Sequence, residues 1–169
     1  MATSARDNLI AWLRDAHAME EQAETMLNAQ FERLENYPEL KARIGKHIDE
    51  TKQQALLLKG CLDRLGEGNS AFKDAAGKLT AMAQGMGGVF ASDEVVKGSL
   101  ASYTFEHMEI ASYRILIATA EYVGDEETAT VCRRILDEEL AMAKWLEENI
   151  GAVTLQFLTR DESDVAAKR

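Results

Sequence analysis

The stretch Glu106-His-Met-Glu-Ile-Ala-Ser-Tyr113 decides how the rest of the chain is read. Residues three and four apart share one face of a helix. Glu106, Glu109 and Tyr113 therefore fall in line with Ser102, Phe105 and Leu116. A stripe that mixes apolar side chains with two carboxylates is unusual. A carboxylate on a core-facing stripe is costly unless it is paired or bound to a cation.

Outward from that stretch the pattern is helical in both directions. Ser92 is a good N-cap, followed by Asp93 and Glu94, whose charges suit a helix N-terminus. The helix is predicted to run to about Val123 and stop at Gly124. Asp125 can cap a fourth helix, expected to end near Asn149, before Gly151. A first helix is predicted from about Ala5 to Glu35. Leu9, Trp12, Leu13, Ala16, Met19, Ala23, Met26, Leu27 and Leu34 recur along it at spacings of three and four. Asn36-Tyr37-Pro38 ends it, and Pro38 suits the first turn of a second helix reaching about Leu65. Gly66 is its stop signal. A glycine-rich crossover, Gly66 to Ala91, follows, with a short helix expected at about Ser70 to Gln84. Two antiparallel helix pairs joined by one long connection define an all-α, ferritin-like four-helix bundle, whereas an up-down-up-down bundle needs only short loops. Residues 1–160 are read as one domain, and 161–169 as a charged, frayed tail.

The totals agree. The chain has 169 residues, enough for one domain with a sizeable core. The net charge of −10 speaks to a solvated surface, and Lys and Arg are interspersed with Asp and Glu, so no face suits nucleic acid. The N-terminal segment MATSARDNLI lacks an apolar stretch of the signal-peptide kind, and no run is long enough to span a bilayer. Cys61 and Cys132 lack CxxC spacing and read as buried, reduced thiols of a cytosolic protein.

Further carboxylates sit on apolar faces. Glu20 lies among Leu13, Ala16, Ala23 and Leu27. Glu50 lies between His47 and Gln54, with Leu57 and Cys61 further along. Glu139 falls between Leu136 and Ala143, ahead of Leu146 and Ile150. Acids on all four helices suggest one shared site, and bundle-core di-iron and di-manganese centres are built from inward-facing Glu on every helix. Oxygen ligands with an occasional imidazole suit iron or manganese. A shift of 89 residues places Glu20 on Glu109, Glu50 on Glu139 and His17 on Glu106, as a pseudo-twofold pair of hairpins would. A shift of 88 matches Glu21 to Glu109 and Glu50 to Glu138, which makes Glu21 and Glu138 alternative ligands. The usual Glu-x-x-His of the second helix in each pair is missing, because Gln53 and Met142 stand three residues after Glu50 and Glu139. His47, three residues before Glu50, can reach the site instead.

Four segments together resemble the YciE/YciF type of ferritin-like stress proteins. They are Ala18-Met-Glu-Glu-Gln22, His47-Ile-Asp-Glu-Thr-Lys-Gln-Gln54, the opening stretch, and Leu136-Asp-Glu-Glu-Leu-Ala141. The resemblance runs from about Leu9 to Ile150. It implies a bundle related to rubrerythrin and manganese catalase, dimeric, cytoplasmic and linked to stress responses. It also implies metal ligands at Glu20, Glu50, Glu106, Glu109 and Glu139, with His47 as a candidate nitrogen ligand. The function expected is that of a dinuclear iron or manganese carboxylate protein, its metals bridged by Glu50 and Glu139, reacting with oxygen or peroxide. The alternative is a non-enzymatic structural or interaction protein with a degenerate site.

Other residues are read more plainly. His17 and His47 are also open to reading as ordinary half-buried histidines, and His107 points about a hundred degrees away from Glu106. Tyr113 either hydrogen-bonds a ligand carboxylate or simply packs. Met19, Met26, Met108 and Met142 are core filler, and Trp12 and Trp145 packing anchors.

Overall fold

The structure is a computed structural model and describes residues 3–67 and 92–163. Four helices make up the described residues: α1 (Ala5–Arg33), α2 (Pro38–Arg64), α3 (Glu94–Val123) and α4 (Glu126–Glu162). The short helix expected between Ser70 and Gln84 lies outside the described residues.

Local chemistry sets the helix ends. The Ser4 hydroxyl accepts from the Asp7 amide and the Asp7 carboxylate accepts from the Ser4 amide, a reciprocal capping box at the start of α1. Pro38 opens α2, where its missing N–H costs nothing. Gly66, at φ 89°, lets the amides of Gly66 and Glu67 turn back onto the carbonyls of Asp63 and Leu62 and close α2. Gly124, at φ 76°, does the same for α3. Asp125 then caps α4 through the Thr128 amide, as its sequence position suggests.

Three expectations are corrected. The fourth helix does not stop at Asn149 but continues through Gly151 to Glu162, because Val153 and Phe157 are buried in one core cluster with Leu34, Tyr37 and Leu40. The Gln156 amide also donates to the Asn36 carbonyl, tying this extension to the α1–α2 turn. The cap of α3 is Asp93, one residue after Ser92, and its side chain makes no capping hydrogen bond. Trp12 is 40% exposed rather than buried as a core anchor, and flanks the buried stripe of Leu9, Leu13 and Ala16. Trp145 does pack against buried residues.

Direction follows from which residues meet. Short turns make α1 and α2 antiparallel, and likewise α3 and α4. On the α1–α3 seam, Ser102 donates to Gln30, Tyr113 to Glu20, and Arg33 pairs with Glu94, so later residues of one helix meet earlier residues of the other. On the α2–α4 seam, Gln54 meets Glu139 and Arg64 meets Asp125, again antiparallel. Helices α2 and α3 therefore run in the same direction, the ferritin-like order. Glu67, after α2, is held by Arg14, and Glu94, opening α3, by Arg33. These two arginines stand nineteen positions apart on α1, roughly 28 Å of helix. Helix α2 thus ends, and helix α3 begins, at opposite ends of the bundle.

The core has two apolar clusters. One gathers Leu9, Leu13, Leu58, Leu62, Tyr113, Leu116, Cys132 and Ile135; the other gathers Leu40, Ile44, Ile48, Met142, Leu146 and Phe157. Buried charge interrupts the apolar interior.

Candidate metal centre

Helices α1, α2, α3 and α4 each turn polar groups inward: Glu20 from α1, His47, Thr51 and Gln54 from α2, Glu106 and Glu109 from α3, and Glu139 from α4. All are at most 2% exposed, so none of the four carboxylates is solvated. His47, Glu106, Glu109 and Glu139 each offer a ligand atom, and these atoms lie within 4.8 Å of one another.

His47 is the hub. Its Nδ1 lies 2.9 Å from Glu50 Oε2, and its Nε2 lies 3.3 Å from Glu106 Oε2 and 3.5 Å from Glu139 Oε2. Burial alone would favour the neutral imidazole. The carboxylates of Glu106, Glu50 and Glu139 outweigh it and push the imidazolium pKa up to about 10. Without a metal, a proton on His47 is the nearest source of positive charge for the cluster.

The acids behave in the opposite sense to surface acids. Burial raises the Glu20 pKa to about 8, even though the Tyr113 hydroxyl donates to Glu20 Oε1. Burial, then the neighbouring carboxylates of Glu139, Glu20 and Glu106, raise Glu109 well above the usual carboxylate range. Burial and then Glu106 do the same for Glu139. Among the described residues no hydrogen-bond donor reaches either oxygen of Glu109, or Glu20 Oε2. Tyr113, fully buried, has its own pKa raised by burial and by Glu20. Its hydroxyl therefore stays a proton donor to the cluster, the first of the two roles open to it in the sequence.

Glu50 stands apart. It is half-buried and accepts from Arg43 Nη1 at 3.1 Å and lies 3.0 Å from Lys46 Nζ. Burial alone would raise its pKa, but His47, Lys46 and Arg43 together hold it down at about 2. Five of the six candidate ligands, Glu20, His47, Glu106, Glu109 and Glu139, are thus brought inside, and among the described residues Glu50 touches the group through His47. The alternatives divide. Glu21 is exposed and lies 3.8 Å from His17 Nδ1, whereas Glu138 sits at the edge of the cluster on a hydrogen bond from Gln54. His107 is exposed and stacks edge-on against Tyr103, away from the site.

Gln54, which the sequence places simply as a neighbour of Glu50, is central. Its Nε2 donates to Glu139 Oε1 at 2.5 Å and to Glu138 Oε2 at 3.0 Å. The signal available was its spacing: Gln54 lies seven residues, two helical turns, after His47, so the buried stripe is 47, 51, 54 and 58 rather than 47, 50, 54 and 57.

The donor set fits a cation. Orphaned carboxylate oxygens, an imidazole and a low-dielectric enclosure are what hard or borderline divalent metals require. Such a fold and such a cluster define a ferritin-like bundle with a candidate metal centre. The sequence model described as "Domain of unknown function (DUF892)" matches residues 4–159, and the chain belongs to that family, of the YciF ferritin-like type. A crystal structure of a Xanthomonas campestris protein is 42% identical, covers 94% of this chain and 98% of its own, and superposes with a TM-score of 0.80. The Escherichia coli stress protein YciF is 23% identical, with 88% and 96% covered and a TM-score of 0.74. YcfI of Rhodopseudomonas palustris, described as a candidate structural protein, is 29% identical, with 86% and 94% covered and a TM-score of 0.72. None of the described helices is long and apolar enough to cross a membrane.

Proposed function

We propose that this protein is a dinuclear metal-carboxylate protein that binds iron or manganese and reacts with oxygen or peroxide. One observation carries the reading: His47, Glu106, Glu109 and Glu139 present ligand atoms within 4.8 Å of one another in a buried site. Charge supports two ions rather than one. Ionised Glu20, Glu106, Glu109 and Glu139 with a neutral His47 carry four negative charges, which two divalent cations balance. His47, Glu106, Glu109 and Glu139 would hold the first cation, and Glu20, coupled electrostatically to Glu106, supplies the fourth carboxylate for the second.

A bound iron or manganese ion supplies Lewis acidity and one-electron redox capacity. The rest falls to the chain. Glu50 orients the His47 ring by accepting a hydrogen bond from its Nδ1–H, which leaves Nε2 facing Glu106 and Glu139. Tyr113 fixes one oxygen of Glu20 and leaves the other free. The surrounding Leu, Ile and Met side chains exclude bulk water. The description of the Escherichia coli relative as a stress protein is consistent with an oxidant as substrate. A homodimer is part of the same reading, and exposed Leu100, Ile115 and Tyr122 on one face of α3 are apolar surface that a second copy would cover.

The alternative, a structural protein with a degenerate site, draws on the internal pairing of His47 with Glu50, Glu106 and Glu139. Calorimetric titration of the metal-free protein with Fe(II) or Mn(II) under anaerobic conditions separates the two. About two ions per chain is the expected stoichiometry, with binding lost in Glu109→Ala/Glu139→Ala. An unaltered isotherm in that double variant would overturn the assignment.

A further inference from the structure

The candidate site is closed. His47, Glu106, Glu109 and Glu139 are each at most 2% exposed, so a cation needs a route through the helix faces. Two half-exposed carboxylates connect to the cluster by side-chain contacts. Glu50 does so through His47, and Glu138 through Gln54.

The two doors differ in charge. Around Glu50 stand Arg43 and Lys46, at 3.1 and 3.0 Å, and beyond it the His47 ring. A cation approaching there meets positive charge on a carboxylate already matched. Around Glu138 the one basic side chain found among the described residues is Arg134, at 3.7 Å and 63% exposed. Glu138 is joined to the negative interior by the Gln54 amide, which also donates to buried Glu139.

Between Glu138 and Glu139 sits the Gln54 amide. Its Nε2 is hydrogen-bonded to both carboxylates, and its carbonyl Oε1 is buried without a partner. That arrangement is suited to exchange. A cation arriving at Glu138 takes over the attraction that the N–H groups now satisfy, and it favours the amide oxygen over the amide nitrogen. Rotation of the amide then presents Oε1, a neutral hard ligand, midway between the outer and the inner carboxylate.

We propose that Glu138 is the capture ligand at the mouth of the site and that the Gln54 amide passes divalent cations from it to Glu139. This rests on the metal-binding reading above. Neither residue is needed to hold the loaded ions; both act on how fast they arrive.

The test is stopped-flow loading of the full-length metal-free protein with Co(II), followed by its visible absorption. Wild type, Glu138→Gln and Glu148→Gln are compared, the last removing an equally charged but remote carboxylate, 60% exposed beside Lys144. Glu138→Gln is expected to load about tenfold more slowly, the low end of what electrostatic focusing gives, while binding as much cobalt at saturation as wild type. Glu148→Gln should load at the wild-type rate. An unchanged rate in Glu138→Gln, or the same slowing in Glu148→Gln, overturns the route. Loss of bound cobalt at saturation overturns it too, by making Glu138 a resident ligand. Failure of wild type to bind cobalt overturns the metal reading itself, so the two failures are told apart.

Discussion

Raising the pH should destabilise the metal-free protein, and the cluster sets both the sign and the size. Glu20 has a pKa of about 8 in the fold against an ordinary value of 4.5. The folded state therefore holds a proton that the unfolded chain releases anywhere between those values. That contribution is fully present below pH 4.5 and is lost as pH rises through 8. His47, raised from 6.5 to about 10, acts in the same direction, its contribution present below pH 6.5 and gone above 10. Glu50, lowered to about 2, acts oppositely but only in acid, below pH 4.5. Between pH 5.5 and 8, Glu20 alone accounts for a loss of about 3 kcal/mol, at 1.36 kcal/mol per pH unit. For a domain of this size that is a fall in Tm of about 6–12 °C. Scanning calorimetry in a chelator across that range measures it. A Tm that stays flat or rises between pH 5.5 and 8 would refute the account of a buried, proton-satisfied carboxylate cluster. Saturating Mn(II) should abolish the fall, because metal replaces those protons.

Other perturbations are more local. Tyr113→Phe removes the donor to Glu20 in a fully buried setting and should cost about 1–3 kcal/mol in denaturant unfolding of the metal-free protein; an unchanged midpoint would show that this contact is not maintained. Leu58→Ala, at a site with no exposure, should cost about 2–5 kcal/mol through the cavity it leaves, and a smaller loss would mean that the bundle closes around the gap. Gly124→Ala puts a side chain at φ 76° and should lower stability by about 1 kcal/mol; a neutral result would show the α3–α4 turn relaxing to another conformation.

Much of the bundle was legible in the sequence because its signals are local. Gly66 and Gly124 sit where a left-handed residue is needed, and Pro38 where a missing amide is harmless. The extension of α4 was not legible, since Gly151 weakens a helix by only about 1 kcal/mol and burial of Val153 and Phe157 outweighs it. That burial depends on the α1–α2 turn, which lies more than a hundred residues away in the chain. Glu20, Glu106, Glu109 and Glu139 were legible because a carboxylate flanked by apolar residues at spacings of three and four has little choice but to face inward. Glu50 shows the limit of that argument. Spacing assigns a face to within about a turn's quarter, and Glu50 lies at the edge of its stripe, where Arg43 and Lys46, seven and four residues earlier, can reach it. The 89-residue repeat held at Glu20 and Glu109, both buried, but not at Glu50 and Glu139, whose surroundings differ in charge.

The most direct test of the metal centre is crystallographic. Crystals of the protein grown with Mn(II) should be measured near the manganese absorption edge. One anomalous peak is expected enclosed by His47, Glu106, Glu109 and Glu139, and a second beside Glu20. Featureless density there at saturating Mn(II), with protons and His47 left to balance the carboxylates, would contradict it.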